Sequence, residues 1–361
     1  MRWGSGFTAS GLAAGMRKHH ELVWPASSKT VTLPQLTRRL PILAYTLRRL
    51  VILIASLLIA AIVLFVLLRL LPGDPANALL GVGATEAQIA AARSQVGSDQ
   101  PLYTQFVSFI GNLARFDLGT SFVSRASVAG EIGNRMSVTL PLTFLGFLLA
   151  LALAIPLGII AAVRSDRWYG GLISVVSQLG IAIPVFWVGI LLVTLFAINL
   201  RLLPSGGFPL RGWTNFGEAA VAMILPVLTI ALVMAASVLR YVRAATLDVL
   251  GSDYLRTARA LGSSFPQALI RHGLRNGAVP VISILGIELA STFLGAVVIE
   301  RVFSLPGLGS MLLLAIQQRD YPNVQGVLFV STLLVLLIGF AADLLQRFID
   351  PRLRDRGAGT P

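Results

Sequence analysis

Six long apolar stretches set the first constraint on this chain. They fall at about 48–71, 137–163, 172–199, 219–241, 278–299 and 324–348 of 361 residues. Each reaches the roughly 20 residues a helix needs to cross the hydrocarbon of a bilayer. Inside hydrocarbon the backbone must satisfy its own N–H and C=O groups, which leaves helices and closed barrels. Unbroken apolar runs suit helices, since barrel strands alternate polar and apolar residues. The reading is an all-α membrane protein with six transmembrane helices. Pro156, Pro184 and Pro226 lie inside these runs. Neighbouring helices can satisfy the carbonyls that a proline frees. The first run is too long and too far from the start for a cleaved signal peptide. Charged residues make up 12% of the chain, about half the share in soluble domains.

The basic residues set an orientation. An even number of spans puts both termini on one side. Twenty of the 29 lysines and arginines fall in the terminal segments and in 164–167 and 240–275. The other nine include five in 69–136, where five acidic residues balance them. The positive-inside rule therefore places both termini and the 240–276 loop in the cytoplasm. The net charge of +13 sits in short loops at span ends. It reads as topology rather than as a nucleic-acid surface.

Several chemistries are excluded. The chain has no cysteine, so disulfides, thiol catalysis and thiolate metal sites are absent. Its three histidines, His19, His20 and His272, form no catalytic or metal-binding set. No G-x-x-x-x-G-K-[ST] occurs, so no P-loop cradles ATP here. A secondary carrier would show internal repeats or several membrane-embedded charges. Only two acids, Glu288 and Asp343, lie within the apolar runs. Asp343 sits near the cytoplasmic end of its run, solvated or paired with Arg347 at i+4. Glu288 lies deeper, where it faces either a transport pathway or a polar neighbour.

The basic loop between the fourth and fifth runs carries the densest pattern. "DYLRTARALG" (253–262) reads as a short amphipathic helix, with Tyr254, Ala258 and Leu261 on one face. Gly262 permits a sharp turn through positive φ. Ser263 or Ser264 can cap a second helix, with Pro266 in its first turn. Phe265, Leu269 and Gly273 line one side of that helix, with Ile270 and Leu274 beside them. Two uses are open on these grounds alone. One is docking into a groove of a cytoplasmic protein; the other is lying on anionic lipid headgroups.

Outside the runs, "ATEAQIAAARSQVG" (84–97) reads as an exposed helix between Thr85 and Gly97. "PLYTQFVSFIGNLARF" (101–116) puts Leu102, Phe106, Phe109 and Leu113 at helical spacing. This second helix is expected to lie on the outer ends of the spans. "PGDP" (72–75) ends the first span with turn chemistry.

Blocks along most of the chain resemble one family. They are "LRLLPGDPAN" (68–77), "GSDQPLYTQF" (97–106), "FDLGTSF" (116–122), "LLPSGGF" (202–208), "LRYVRAATLDVLGSDYLRTARALG" (239–262), "VFSLPGLG" (302–309), "RDYPNVQG" (319–326) and "DLLQRFIDPRLR" (343–354). The chain resembles the permeases of ATP-binding-cassette importers, in the branch for dipeptides, oligopeptides, nickel and glutathione. The resemblance implies a type I importer permease fold over 45–355, with tails at 1–44 and 356–361. It also implies a long first external loop and a cytoplasmic coupling loop at 243–276.

The candidate site residues follow from the match for the coupling loop and 306–309, from the exposed helix at 84–97 for Glu86 and Arg93, and from its place within a span for Glu288. Contacts to an ATPase fall on Tyr254, Thr257, Ala258, Arg259, Gly262, Phe265, Leu269, Arg271, His272 and Asn276. External gate or receptor contacts fall on Glu86, Arg93, Pro306, Gly307 and Gly309, and Glu288 is the candidate for the pathway. The implied partners are a second homologous permease, two ATPase subunits, an extracytoplasmic substrate-binding protein and the lipid bilayer, with no nucleic acid. ATP and magnesium belong to the ATPase subunits, and this chain is expected to hold no cofactor and to catalyse no reaction. The implied location is the bacterial inner membrane. The leading substrate is a di- or oligopeptide; nickel chelates, glutathione and sugars are the alternatives.

Overall fold

The computed structural model describes residues 40–70 and 85–349. The terminal tails and the "PGDP" turn lie outside the described residues. Eleven helices follow in order among the described residues, besides a one-turn 3-10 helix at Gly212–Thr214. They are α1 (Leu40–Leu70), α2 (Glu86–Val96), α3 (Leu102–Ala114), α4 (Val128–Val163), α5 (Trp168–Ala182) and α6 (Val185–Asn199). Then come α7 (Phe216–Leu250), α8 (Asp253–Ala260), α9 (Phe265–Val302), α10 (Leu308–Gln317) and α11 (Tyr321–Ile349). No strand occurs among them. Five of the helices, α1, α4, α7, α9 and α11, are long and apolar enough to cross a membrane. The pair α5–α6 makes a sixth crossing when counted as one span.

That pair corrects the expected continuous span at 172–199. The two helices bend by 105° at Ile183–Pro184. Pro184 has no N–H to continue the ladder, and it forces Ile183 into extended backbone, with ψ 127°. Pro156 and Pro226, by contrast, lie within unbroken helices.

The long helices run past their apolar stretches. α4 has 36 residues, about 54 Å at 1.5 Å per residue, against roughly 30 Å of hydrocarbon. α7 continues to Leu250 and α9 starts at Phe265, so both project beyond the bilayer at the end that carries the basic loop.

α7 is the central helix: 50% of its most apolar window is buried, against 11% for α1 and α11. A stripe of small residues on α4 packs against it, with Gly146, Ala150, Ala154, Gly158, Ala161 and Ala162 all buried. A methyl on Gly146 would sit 2.6 Å from Ile230 Cγ2, and one on Gly158 would sit 2.8 Å from Val242 Cβ. Apolar burial drives little association where the solvent is itself apolar. Close backbone approach through small residues is what holds such helices together.

α1 is peripheral. Ala61 and Leu64 pack with Leu113 of α3 and Phe329 of α11, and Phe65 meets the rings of Phe106 and Phe109. The expected apolar face of α3 therefore forms, except that Leu102 is 64% exposed. At the other end of α1, Arg49 pairs with Asp343 at 2.9 Å. Asp343 is thus partly exposed and paired with Arg49, while Arg347 stacks over Tyr45, 4.0 Å from the ring centre.

Candidate functional site

The basic loop is a short helix and turn fixed onto three long helices. α8 starts at Asp253 and ends where Gly262 turns the chain at φ +93°. Ser264 then caps α9 with a capping box to Gln267, and Pro266 sits in the first turn. The second helix of the expected pair is thus no separate element. It runs into the fifth span through a π-helical turn at Leu269–Leu274.

The inward face of the loop differs from the expected one. Leu255 is buried, together with Ala268, Leu269 and Val249, and Ala258, Phe265, Ile159 and Val163 pack around them. Tyr254 is 39% exposed and Leu261 82%. The inward face is shifted from the predicted one: Leu255 takes the place of Tyr254 while Ala258 stays inward. Gly273 and Gly277 bring α9 onto Val249 of α7: a methyl on either would lie within 3.0 Å of a Val249 methyl.

Outside this cluster the loop presents an apolar tip within a basic surround. Leu261 and Ile270 are exposed, as are Arg256, Arg259, Arg271, His272, Arg275 and Asn276. Arg259 stands over the Phe265 ring at 5.8 Å, and Asn276 Nδ2 donates to the His272 carbonyl. Thr257 Oγ1 donates to the Asp253 carbonyl. Of the predicted contact residues, Tyr254, Thr257, Arg259, Gly262, Arg271, His272 and Asn276 are exposed, and Ala258 and Phe265 are half-buried. Leu269 faces the core.

The opposite end is joined by buried carboxylates. Glu300 at the end of α9 has no exposed surface. It accepts hydrogen bonds from Thr139 Oγ1 of α4 at 2.6 Å, and from the Gly309 and Ser310 amides at 2.8 and 3.1 Å. Thr139 Oγ1 in turn accepts from the Leu308 amide at 2.9 Å. Gly307 lies so close that a methyl there would overlap the carboxylate, and one on Gly309 would strike Val297. "SLPGLG" is therefore a turn wrapped on a buried acid: Gly307 and Gly309 are buried and Pro306 is half-buried. Sequence reasoning missed Glu300, which lies one residue beyond the apolar run assigned to span five.

A second tie has the same character. Asp320 accepts from Ser121 Oγ and the Phe122 amide, and Asn323 Nδ2 donates to both Asp320 and Glu131. These bonds fix the 117–127 turn and the start of α4 to the start of α11. Glu86 and Arg93 lie apart, exposed on the first and last turns of α2. That helix has the expected ends, a capping box from Thr85 and Gly97 at φ +71°.

Glu288 sits midway along the membrane part of α9. One of its oxygens accepts from Ser237 Oγ of α7 at 2.5 Å. Four residues on, Thr292 Oγ1 donates to Met234 Sδ. Glu288 and Ser237 are both half-buried, and Glu288 has no ion-pair partner among the described residues.

Spans, a protruding basic loop and buried polar ties together define a multi-span helical membrane protein. Residues 154–355 match the family described as binding-protein-dependent transport system inner membrane component, and 42–143 match its N-terminal region. Over 312 residues the chain is 39% identical to the glutathione transport system permease protein GsiC of Escherichia coli (strain K12), covering 86% of this chain and 99% of that protein. The GsiC of Salmonella paratyphi A matches at the same identity and coverage. A solved structure of the MetNI methionine ABC transporter in inward-facing conformations aligns with a TM-score of 0.48 and 19% identity, over 61% of this chain and 96% of that chain. The chain belongs to the binding-protein-dependent transport family, as an inner-membrane permease subunit of an ABC importer. It is a non-catalytic component, with ATP hydrolysis on a separate subunit.

Proposed function

We propose that this permease forms half of an import pathway for peptide-class substrates, glutathione among them. Glutathione is itself a three-residue peptide, so the peptide reading and the names of the relatives meet in one substrate class. The other half of the pathway is a second homologous permease. An extracytoplasmic binding protein delivers the substrate, and two ATPase subunits dock on the 253–276 loop from the cytoplasm, where both termini also lie. One observation carries the coupling role: the loop has an exposed tip at Leu261 and a base packed on the ends of α4 and α7. A partner that grips the tip moves the spans.

The test uses the assembled transporter in proteoliposomes. Leu261→Asp alters only the exposed tip, and Gly262→Pro forbids the +93° turn. Both should insert normally and abolish ATP-driven uptake of glutathione and dialanine, because the lesion lies at a contact outside lipid. Normal uptake in Leu261→Asp would remove the docking assignment. Wild-type uptake of a nickel chelate or a sugar, with neither peptide imported, would replace the substrate class.

A further inference from the structure

We propose that Glu288 and Arg240 form a two-charge site for a zwitterionic substrate, in a trough that opens towards the coupling loop. The proposal rests on the reading of the chain as a permease for peptide-class substrates, and it adds where in the chain the substrate is held.

The trough follows from helix register. On α7, Val233, Ser237, Arg240 and Ala244 recur at i, i+4, i+7 and i+11, which puts them on one stripe. Val233 and Ser237 are half-buried, and Arg240 and Ala244 are exposed. Helices flank the stripe on both sides. On one side Ser177 Oγ of α5 donates to the Ala236 carbonyl, Gly180 lies against Ala236, and Gly189 of α6 lies against Thr229. On the other, Glu288 and Thr292 of α9 reach Ser237 and Met234. Towards the end that carries Glu300, α6 meets α9 where Gly189 touches Val302 and Phe303, and the trough closes. Towards the loop, the break at Ile183–Pro184 turns α5 away from α6 by 105°.

The chemistry inside it is paired. A carboxylate at mid-membrane depth is costly to hold, so such groups face a partner or a watery cavity. Among the described residues Glu288 has only the Ser237 hydroxyl, which occupies one oxygen. The last carbonyls of α5 have no following turn to bond them, because Pro184 lacks an N–H. Carboxylate and carbonyl oxygens are acceptors, and they suit an ammonium group. One turn nearer the loop, the Arg240 guanidinium lies over the Tyr241 ring at 4.8 Å and donates to its hydroxyl. Its remaining donors suit a carboxylate. A short peptide carries both groups, so its amino end lies deep at Glu288 and its carboxyl end at Arg240.

Two measurements on the complete transporter test this. The first is ATP-driven uptake of glutathione. Glu288→Gln keeps the shape and removes the charge, and uptake should fall about ten- to a hundredfold, the worth of one charge-assisted hydrogen bond. Glu288→Asp should recover most of that loss. If Glu288→Gln does not assemble, Ser237→Ala replaces it, with a several-fold loss expected.

The second measurement needs no transported substrate. In Val233→Cys the thiol is the chain's only one, since the chain has no cysteine. It should react about five to ten times faster with a cationic than with an anionic methanethiosulfonate reagent, and Glu288→Gln should abolish that bias. An unchanged bias, or full uptake by Glu288→Gln, overturns the site. If the wild type imports no peptide, the functional reading fails by itself, and the reagent bias alone decides the site.

Discussion

Replacing Glu300 by alanine should release the turn at 304–310. In the native chain its carboxylate is the acceptor for the Thr139 hydroxyl and for the Gly309 and Ser310 amides. In Glu300→Ala those two amides lose their acceptor in a region without exposed surface at residue 300. A buried donor left unpaired costs about 1–3 kcal/mol. The Thr139 hydroxyl adds little, because it can turn to the carbonyl four residues back in its own helix. With two donors unpaired and a cavity cost from the emptied space beside Gly307, the total is about 3–7 kcal/mol. Glu300→Gln should behave differently. Its amide oxygen can accept from both N–H groups while its NH2 donates to Thr139 Oγ1, so the loss should stay near 1 kcal/mol. The assay is thiol protection. A cysteine at Leu308, a residue only 2% exposed, should resist a small thiol reagent in otherwise native membranes and in Glu300→Gln. It should react quickly in Glu300→Ala. Heating detergent-solubilised protein before size exclusion should rank the variants in the same order. Equal protection in all three would refute the view that the carboxylate holds the turn.

Orientation has a direct check. A cysteine at Ser263 should react only with membrane-permeant thiol reagents and one at Ser205 with impermeant reagents added outside; the reverse pattern would invert the proposed topology. Glu86 and Arg93 are exposed at opposite ends of α2. Replacing both by alanine should lower the stimulation of ATP hydrolysis by the binding protein and leave basal hydrolysis unchanged, and full stimulation would move the receptor contact to 304–323. Five basic and five acidic residues balance in 69–136, so that stimulation should depend only moderately on salt.

The parts of this fold legible in the sequence are those with a local cause. Apolar length gave the spans, Gly262 gave the turn, and Thr85 with Gly97 gave both ends of α2. Pro184 was legible as a residue and not as a break. Pro156 and Pro226 lie in unbroken helices, so proline alone does not tell a kink from a fracture. The inward face of α8 was misread because only eight residues carry the period. One register step there exchanges Tyr254 for Leu255, and both look apolar. Glu300 was hidden for another reason. Its partners Thr139 and Gly309 stand 161 and nine residues away, and an acid at the end of a span reads as solvated until the fold buries it. The Gly146–Gly158 stripe went unread in the sequence, because only the fold gives it a partner in α7.

These joints divide the permease into a frame and a seam. At the loop end, one apolar cluster holds α8 and the start of α9 against Val249 of α7 and Ile159 and Val163 of α4. α4, α7 and α9 then run unbroken towards the far end. There Glu300 joins α9 to Thr139 of α4, and Asn323 joins α11 to Glu131 of α4. The loop cluster and these ties therefore hold α4 and α9 together at both ends. Among the described residues only the α5–α6 crossing is interrupted, at the depth where Ala236 and Ser237 adjoin Gly180 and Glu288. Hinges are a few residues that absorb a large dihedral change, and Ile183–Pro184 is the place where one crossing can change angle while the frame keeps its shape. Under the coupling role proposed above, movement imposed at the loop would change the width of the trough beside Glu288.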